Sequence, residues 1–378
     1  MLELIDEWGP EKVVMVSDRR TNMRGVLVID NTARGMGKGG TRMGQSVSVD
    51  EVARLARTMT WKWAASGLFH GGAKAGIVAD PRGADKEAIL RAFARALSNE
   101  VPAEYVFGLD MGLTEDDAAI LADELGTRSG AVGLPRALGG LPYDELGVTG
   151  FGVAEAADAA AMSIGMELNG ATVAIQGFGA VGAAAARRLD QLGAVITSVA
   201  TSEGTVSNAS GLDVQRLSEL REDHGDGLVS AYEGADADRD PARVLRVPVD
   251  VLIPAAREDV VDKDVAGSTS ARLVVEGANL PTTPVARSIL HERGVTVVPD
   301  FIANAGGIVA AAYSMDARSS PFVVDPSTVF DKVSSTMRDN TTTVLEESTR
   351  RGVTPHEAAW ALAKERVRSA MSARGQLT

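Results

Sequence analysis

The 378-residue chain has no cysteine, four histidines and only eight lysines. Without cysteine there is no disulfide framework, no thiol nucleophile and no thiolate-bound metal, and a reducing compartment suits such a chain. The histidines, His70, His224, His291 and His356, fall at no metal-ligand spacing, so no metal is expected and His70 is read as structural. No stretch approaches the roughly 18 uninterrupted apolar residues of a membrane-spanning helix. The first ten residues carry acids where a signal peptide would be basic, which makes a cytoplasmic location the expectation. A net charge of -13 opposes nonspecific binding to nucleic acid or to an anionic membrane.

The scarcity of lysine makes its placement informative, because arginine supplies the other 30 of the 38 cationic residues. A lysine loses its proton near neutral pH when buried or set beside another cation, whereas arginine stays charged. Three of the eight lysines, Lys38, Lys62 and Lys74, fall within one 37-residue window. Two of them adjoin glycine pairs, in Lys38-Gly39-Gly40 and Gly71-Gly72-Ala73-Lys74. The window is therefore expected to need an amine.

The length suits about two domains, and a composition 45% hydrophobic and 24% charged is ordinary for a globular protein. From about residue 48 helical and strand patterns alternate, as in an α/β protein with largely parallel sheets. Ser48 and Glu51 form a capping box that opens a helix to about Ser66, with Leu55, Met59 and Lys62 on one apolar face. A strand over 75–79, a helix near 85–99, a strand near 103–109 and a helix opened by Thr114 follow. A glycine- and proline-containing linker, roughly 132–148, separates this region from an alanine-rich helix at 150–164. The strand 171–176, a glycine-rich turn and the helix 180–192 come next, and then strands near 194–200, 249–253, 271–276 and 295–299. The segment 203–245, rich in Gly, Asp and Arg, reads as irregular surface, and two long helices, 326–350 and 354–373, close the chain. The expected architecture is α/β with two domains. Residues 1–135, joined by about 326–378 packing back, form a substrate-binding and assembly domain; residues 149–325 form a Rossmann-type dinucleotide-binding domain.

Gly177-Phe178-Gly179-Ala180-Val181-Gly182 matches G-x-G-x-x-G between a predicted strand and a predicted helix, the context that gives the motif its meaning. The first glycine allows the tight turn, the second lets backbone approach a pyrophosphate, and the third lets helix and strand pack closely. NAD or NADP is the cofactor expected. The acid that usually binds the ribose 2′-hydroxyl should lie about 20 residues on. That place reads Val199-Ala-Thr-Ser-Glu203, with Thr201 or Ser202 at the ribose position and Glu203 as an alternative. The choice between the two cofactors stays open.

With these features together, the chain resembles the Glu/Leu/Phe/Val amino-acid dehydrogenase family over nearly its whole length. The matching segments are Lys38-Gly-Gly-Thr-Arg42, Met59-Thr-Trp-Lys62, Gly71-Gly-Ala-Lys-Ala-Gly-Ile77, Thr149-Gly-Phe-Gly152, the glycine-rich turn, Pro254-Ala-Ala256, Val275-Glu-Gly-Ala-Asn279 and Asn304-Ala-Gly-Gly307. The resemblance implies oxidative deamination of an L-amino acid to its 2-oxo acid and ammonia. It implies that Lys74 activates water, that Asp110 transfers a proton and that Lys62 binds the substrate α-carboxylate. Lys38 matches the lysine that faces a glutamate γ-carboxylate, with Gly39, Met59, Gly108, Asn304, Ile308 and Ala311 completing the substrate site. Thr149, Ala255, Ala256, Asn279 and Asn304 join Gly177 to Gly182 and Thr201 at the cofactor. Taken singly, Lys62 reads as a snorkelling lysine, Asp110 as a turn former and Lys74 as a solvated residue at a strand edge. Their joint position on one family's motifs favours the site.

Glutamate is the expected substrate, since a buried Lys38 beside an aliphatic side chain would be an unpaired charge. The small residues Gly108 and Ala311, and the short stretch before Lys38, point instead toward a leucine-, valine- or phenylalanine-type enzyme, or one for another bulky amino acid. A catalytically silent regulatory paralogue is a further alternative. The family also implies a homo-oligomer, a hexamer by preference.

Overall fold

The computed structural model describes residues 2–142 and 145–377. Two compact units emerge: Met1–Pro142 with Ala310–Val329 and Leu362–Thr378, and Tyr143–Val309 with Phe330–Ala361. The two C-terminal helices are thus divided between the units, where the sequence assigns both to the first. Tyr143 and Asp144, inside the expected linker, lie outside the described residues.

The first unit begins with an antiparallel pair, β1 (Lys12–Asp18) and β2 (Met23–Asn31), followed by the short strands β3 (Gly37–Lys38) and β4 (Thr41–Gly44). These precede α1 (Val49–Ala65), β5 (Gly71–Val78), α2 (Lys86–Ala96), β6 (Tyr105–Val106) and α3 (Glu115–Glu124). The strands before residue 48 escaped the sequence reading, and they make the sheet mixed rather than largely parallel. Its order is β1-β2-β5-β3-β6, with β4 pairing β5 off that path. The two-residue period of β2 sorts its side chains. Val26 and Val28 face Val52 and Ala56 of α1. Leu27 and Ile29 join Ile77, Leu90, Phe93, Phe107 and Leu121 on the opposite side. Each such fully buried aliphatic side chain contributes about 1.5–3 kcal/mol.

Helix α1 starts where expected, with the Ser48 hydroxyl accepting from the Glu51 amide at 3.2 Å. Its buried face, however, runs through Val52, Ala53, Ala56, Thr60 and Trp63, while Leu55, Met59 and Lys62 lie on a half-buried face. Strand β5 begins four residues earlier than predicted, at the glycine pair. The reason is steric: a Cβ on Gly72 would stand 2.0 Å from the Thr60 hydroxyl. The glycine lets α1 sit directly on the strand.

The second unit opens with α4 (Val148–Ser163), β7 (Thr172–Gln176), α5 (Ala180–Gln191), β8 (Val195–Thr201) and β9 (Gly204–Ser207). It continues through α6 (Val214–His224), α7 (Leu228–Ala231), β10 (Asp236–Asp238), β11 (Val251–Pro254), α8 (Lys263–Ser268), β12 (Leu273–Val275), α9 (Pro284–Glu292), β13 (Thr296–Val298) and α10 (Asp300–Ala303). The sheet order is β10-β9-β8-β7-β11-β12-β13. Strands β8, β7, β11, β12 and β13 run parallel, and β9 and β10 extend the edge antiparallel. Segment 203–245 is therefore a built part of the fold, burying Leu217, Leu228, Val229, Val244 and Leu245, and not the irregular surface the composition suggests. Its polar residues occupy turns between short elements, which hides the pattern. Chain order reverses between β7 and β11, the place where open α/β sheets bind ligands.

Three helices close the chain: α11 (Gly306–Ala317), α12 (Pro326–Arg351) and α13 (Pro355–Ala373). Within the second unit α12 meets a fully buried acid of α4, Glu155, which accepts from Arg188, Arg338 and Ser334 at 2.6–2.7 Å. Within the first unit, Arg366 near the chain end donates to the carbonyls of Ala64 and Ala65 at 2.8 Å. It adds a side-chain partner to the last carbonyls of α1, of which Ala64 O also accepts from Gly67 N–H at 3.0 Å. Among the described residues no helix is long and apolar enough to cross a membrane.

Candidate active site

In the first unit, β3 lies between β5 and β6, so Lys38 pairs with Gly72 on one side and Val106 on the other. Its backbone carbonyl accepts from Trp63 Nε1 of α1 at 3.0 Å. Its side chain is buried, and the amine donates to the carbonyl of Val106 at 3.1 Å, with those of Gly39 and Phe107 at 3.4 and 3.5 Å. Among the described residues no carboxylate pairs with it. Burial, with the charges of Lys74 and Arg318 added, pushes its pKa down to about 7. Gly39 packs on the next strand and on the helix: a Cβ there would meet the Ala73 carbonyl at 1.8 Å and Met59 Cγ at 3.2 Å.

Lys74 sits on β5, buried, with its amine 2.9 Å from Asp110 Oδ2. The same carboxylate oxygen accepts from Arg42 Nε at 2.9 Å, and Arg42 Nη1 reaches Glu51 at 2.7 Å. Asp110 is held in place by β4, because Thr41 N–H donates to Gly108 O at 2.7 Å and Met43 N–H to Met111 O at 2.9 Å. Burial drives the Lys74 amine below its ordinary value; Asp110 opposes that shift and Arg42 adds to it. Burial pushes the Asp110 carboxyl up, but Lys74 and Arg42 outweigh it and hold the group below the usual carboxylate range. The carboxylate therefore stays charged while the amine gives up its proton more readily than a solvated lysine.

Arg42 is a cation that acts on Lys74. Arg42 and Glu51 were not anticipated as site residues, although Arg42 closes the Lys38 motif. Lys62 lies on the half-buried face of α1, three residues beyond Met59. A Cβ on Gly108 would stand 2.5 Å from Lys38 Nζ, so a side chain there would displace the amine. Ile308 and Ala311 stand one turn apart on α11, both half-buried. His70 stacks on Trp63, with ring centroids 4.8 Å apart.

In the second unit, the glycine-rich turn joins β7 to α5 and borders a cavity of about 730 Å³ at the carboxyl ends of β8, β7 and β11. Gln176, Gly177, Phe178, Gly179, Thr201, Ser202, Ala255 and Ala256 all line it. The glycines behave as the motif requires: a Cβ on Gly182 would stand 1.9 Å from Gly177 O, whereas one on Gly179 would meet nothing within 4 Å. Gly179 thus leaves open space at the N-terminus of α5, whose unpaired amides and dipole suit a pyrophosphate. Ala180 and Val181 form the first turn of that helix. Ala256 N–H donates to Gln176 Oε1 at 3.3 Å and fixes the neighbouring loop. These residues fit a dinucleotide. Thr201 is at the cavity but its hydroxyl is turned away, donating to the Asp226 carbonyl at 2.7 Å.

Asn279 and Asn304, 25 residues apart, are in contact, with Asn304 Nδ2 donating to Asn279 Oδ1 at 3.0 Å. Asp300, which opens α10, fixes the same loop through Leu280 N–H at 2.9 Å, and its own amide donates to Glu276 at 2.8 Å. Glu276 is fully buried, and burial with the nearby Asp300 charge pushes its carboxyl up to about 7. Thr149 opens α4, and its hydroxyl would lie 2.8 Å from a Cβ on Gly307, so the Asn304-Ala-Gly-Gly307 motif abuts it.

Two family models match the chain. Residues 139–375 match the Glutamate/Leucine/Phenylalanine/Valine dehydrogenase model, and residues 10–127 match the Glu/Leu/Phe/Val dehydrogenase dimerisation domain. Glutamate dehydrogenase from Thermotoga maritima is 35% identical over 367 residues, covering 93% of this chain and 86% of the relative. The NADP(+)-dependent glutamate dehydrogenase of Pyrobaculum calidifontis is 35% identical over 370 residues, with the same coverage of 93% and 86%. Among solved structures, the hetero-hexameric glutamate dehydrogenase of Thermus thermophilus in its Leu-bound form is similar. It has a TM-score of 0.84 and 30% identity, with 98% of this chain and 92% of that one covered.

Proposed function

The chain belongs to the glutamate/leucine/phenylalanine/valine dehydrogenase family, and from that premise we propose that it oxidatively deaminates L-glutamate, reversibly, to 2-oxoglutarate and ammonia with NAD or NADP. The observation that carries the substrate is Lys38, a buried amine whose acceptors are backbone carbonyls and which lacks a carboxylate among the described residues. A substrate side-chain carboxylate supplies the missing counter-charge. An aliphatic side chain leaves the amine to bear its burial alone. Gly108, whose small size suggests a wider pocket in the sequence, supports glutamate once its surroundings are known. The space left by its missing side chain is taken by Lys38 Nζ, 2.5 Å from where a Cβ would stand.

The nicotinamide, when bound, accepts hydride from the substrate α-carbon. Lys62 binds the α-carboxylate as a charge-assisted pair. Lys74, its ammonium disfavoured by burial, takes a proton from the water that attacks the imino carbon. Asp110, 2.9 Å from that amine, holds the charge balance and passes the proton to and from the substrate nitrogen. Arg42 keeps Asp110 ionised while Lys74 changes state. Assembly into a homo-oligomer, and a hexamer in particular, accompanies this reading.

The test is a panel of L-amino acids with each nicotinamide cofactor, followed by the absorbance of the reduced form. Glutamate should turn over and leucine and phenylalanine should be poor. Turnover of the aliphatic acids with glutamate inert would sink the substrate assignment, and no turnover at all would favour a regulatory paralogue.

A further inference from the structure

The strand that should carry the ribose acid, β8, ends at Thr201 with Ser202 next, neither of them charged, and Glu203 does not line the cavity. An acid reaches the same place from elsewhere. Helix α6 ends at Gly225, whose φ of 58° turns the chain back into the short turn Gly225–Gly227. That turn brings Asp226 beside the end of β8. Thr201 donates to the Asp226 carbonyl at 2.7 Å, and the Ser202 hydroxyl donates to its carboxylate in a short hydrogen bond. Two anchors from the strand end thus hold one carboxylate at the rim of the dinucleotide cavity.

The other charged groups around the cavity are differently disposed. Asp240 accepts from Ala242 N–H at 2.9 Å and Asp262 from the amides of Asp264 and Val265 at 3.0 and 2.9 Å, so both are engaged as backbone caps. Asp259 and Arg257 belong to the loop after β11. Strand β11 lies two strands from β8, roughly 10 Å away at the usual spacing. Arg257 lines the cavity from that loop, and Arg239 stands by the turn after β8, its Cα 3.2 Å from where a Cβ on Gly204 would lie; the charge bonded to the strand end is the carboxylate of Asp226.

We infer that Asp226 is the residue that selects the cofactor, accepting the adenosine ribose hydroxyls of NAD and repelling the 2′-phosphate of NADP. This rests on the dinucleotide reading of the cavity. A carboxylate oxygen bonded by Ser202 keeps its second oxygen and further lone pairs for a diol. A phosphate in the same place would meet a fixed like charge. The selector has moved from the strand end to a turn that follows in sequence, and the strand end has become its support.

Binding of NAD, NADP and 2′,5′-ADP to the intact protein, measured by calorimetry, tests this for the wild type, Asp226→Asn and Asp226→Ser. Wild type should bind NAD at least tenfold more tightly than NADP. Both variants should narrow that ratio at least tenfold and gain affinity for 2′,5′-ADP, with the kcat/KM ratio for the two cofactors moving in parallel. Equal or tighter NADP binding by the wild type, or a ratio unmoved by either variant, overturns the role of Asp226 while leaving the cavity a dinucleotide site. Failure of all three ligands to bind overturns the cavity reading and the inference with it.

Discussion

Lys74 and Asp110 meet at 2.9 Å, yet burial makes the amine the less secure of the two charges. Arg42, bonded to the same carboxylate oxygen, adds to that effect on the amine and helps hold Asp110 ionised. In the water-attack step the proton change is then at Lys74, with Asp110 still charged beside it. Lys74→Ala should lower kcat by about 10²- to 10⁴-fold, the usual worth of a positioned acid-base group, with cofactor affinity nearly unchanged. Equal loss of cofactor binding in a titration would contradict the assignment.

Asp110→Asn removes the charge that raises the Lys74 pKa. The amine should then deprotonate at a lower pH, so the acidic limb of the kcat/KM profile for glutamate moves down, on top of a large fall in rate. A profile that keeps its limb while only the rate falls would assign that limb to another group.

Lys38 has a folded-state pKa of about 7 against an ordinary 10.5. Between those values the unfolded chain holds a proton that the folded one lacks, so this group's penalty is complete below about pH 7 and disappears as pH rises toward 10.5. Lys38→Met should raise Tm at neutral pH, flatten its rise between pH 7 and 10, and reduce kcat/KM for glutamate at least tenfold. Thermal melts across that range, paired with kinetics, check both halves.

The glycines of the turn separate folding from binding. Gly182→Ala drives a Cβ into the Gly177 carbonyl and should destabilise the protein by about 1–3 kcal/mol, as overpacking does. Gly179→Ala meets nothing in the fold, and so should leave Tm unchanged while weakening NAD binding. Calorimetry and melts on the two variants should give these different patterns.

Glu276 gives a pH effect of opposite sign. Its folded pKa of about 7 exceeds the ordinary 4.5, so the folded chain retains a proton that the unfolded one has lost. Stability falls as pH rises through that interval and levels off above 7. Glu276→Gln, which cannot ionise, should abolish the fall, as read by Tm between pH 4.5 and 7.5.

Much of this was legible in the chain because it depends on local rules. The Ser48 cap, the strand and helix around Gly177–Gly182, and the Thr114 start of α3 are all where neighbouring residues dictate. What the sequence hid is set by distant partners. Gly71 and Gly72 lie outside the strand expected at 75–79 yet extend β5, because the constraint on Gly72 comes from Thr60 on another element. The apolar look of Leu55 and Met59 suggests a buried stripe, yet the sheet takes the face of Val52 and Ala56. The roles of Arg42 and Asp226 depend on pairings 68 and 24 residues apart, beyond any local pattern.

The guanidinium of Arg366, bonded to the last carbonyls of α1, gives the order of synthesis a consequence. The helix that carries Met59 and Lys62 is made well before the arginine that bonds its end, Arg366 being 302 and 301 residues beyond Ala64 and Ala65. The first unit also draws on Ala310–Val329, so its packing waits until the intervening Tyr143–Val309 has been made. A premature stop a few residues before Arg366 would leave every proposed catalytic group in the product and still leave α1 without its end. Such a nonsense product should be a substrate for proteolysis rather than a slow enzyme.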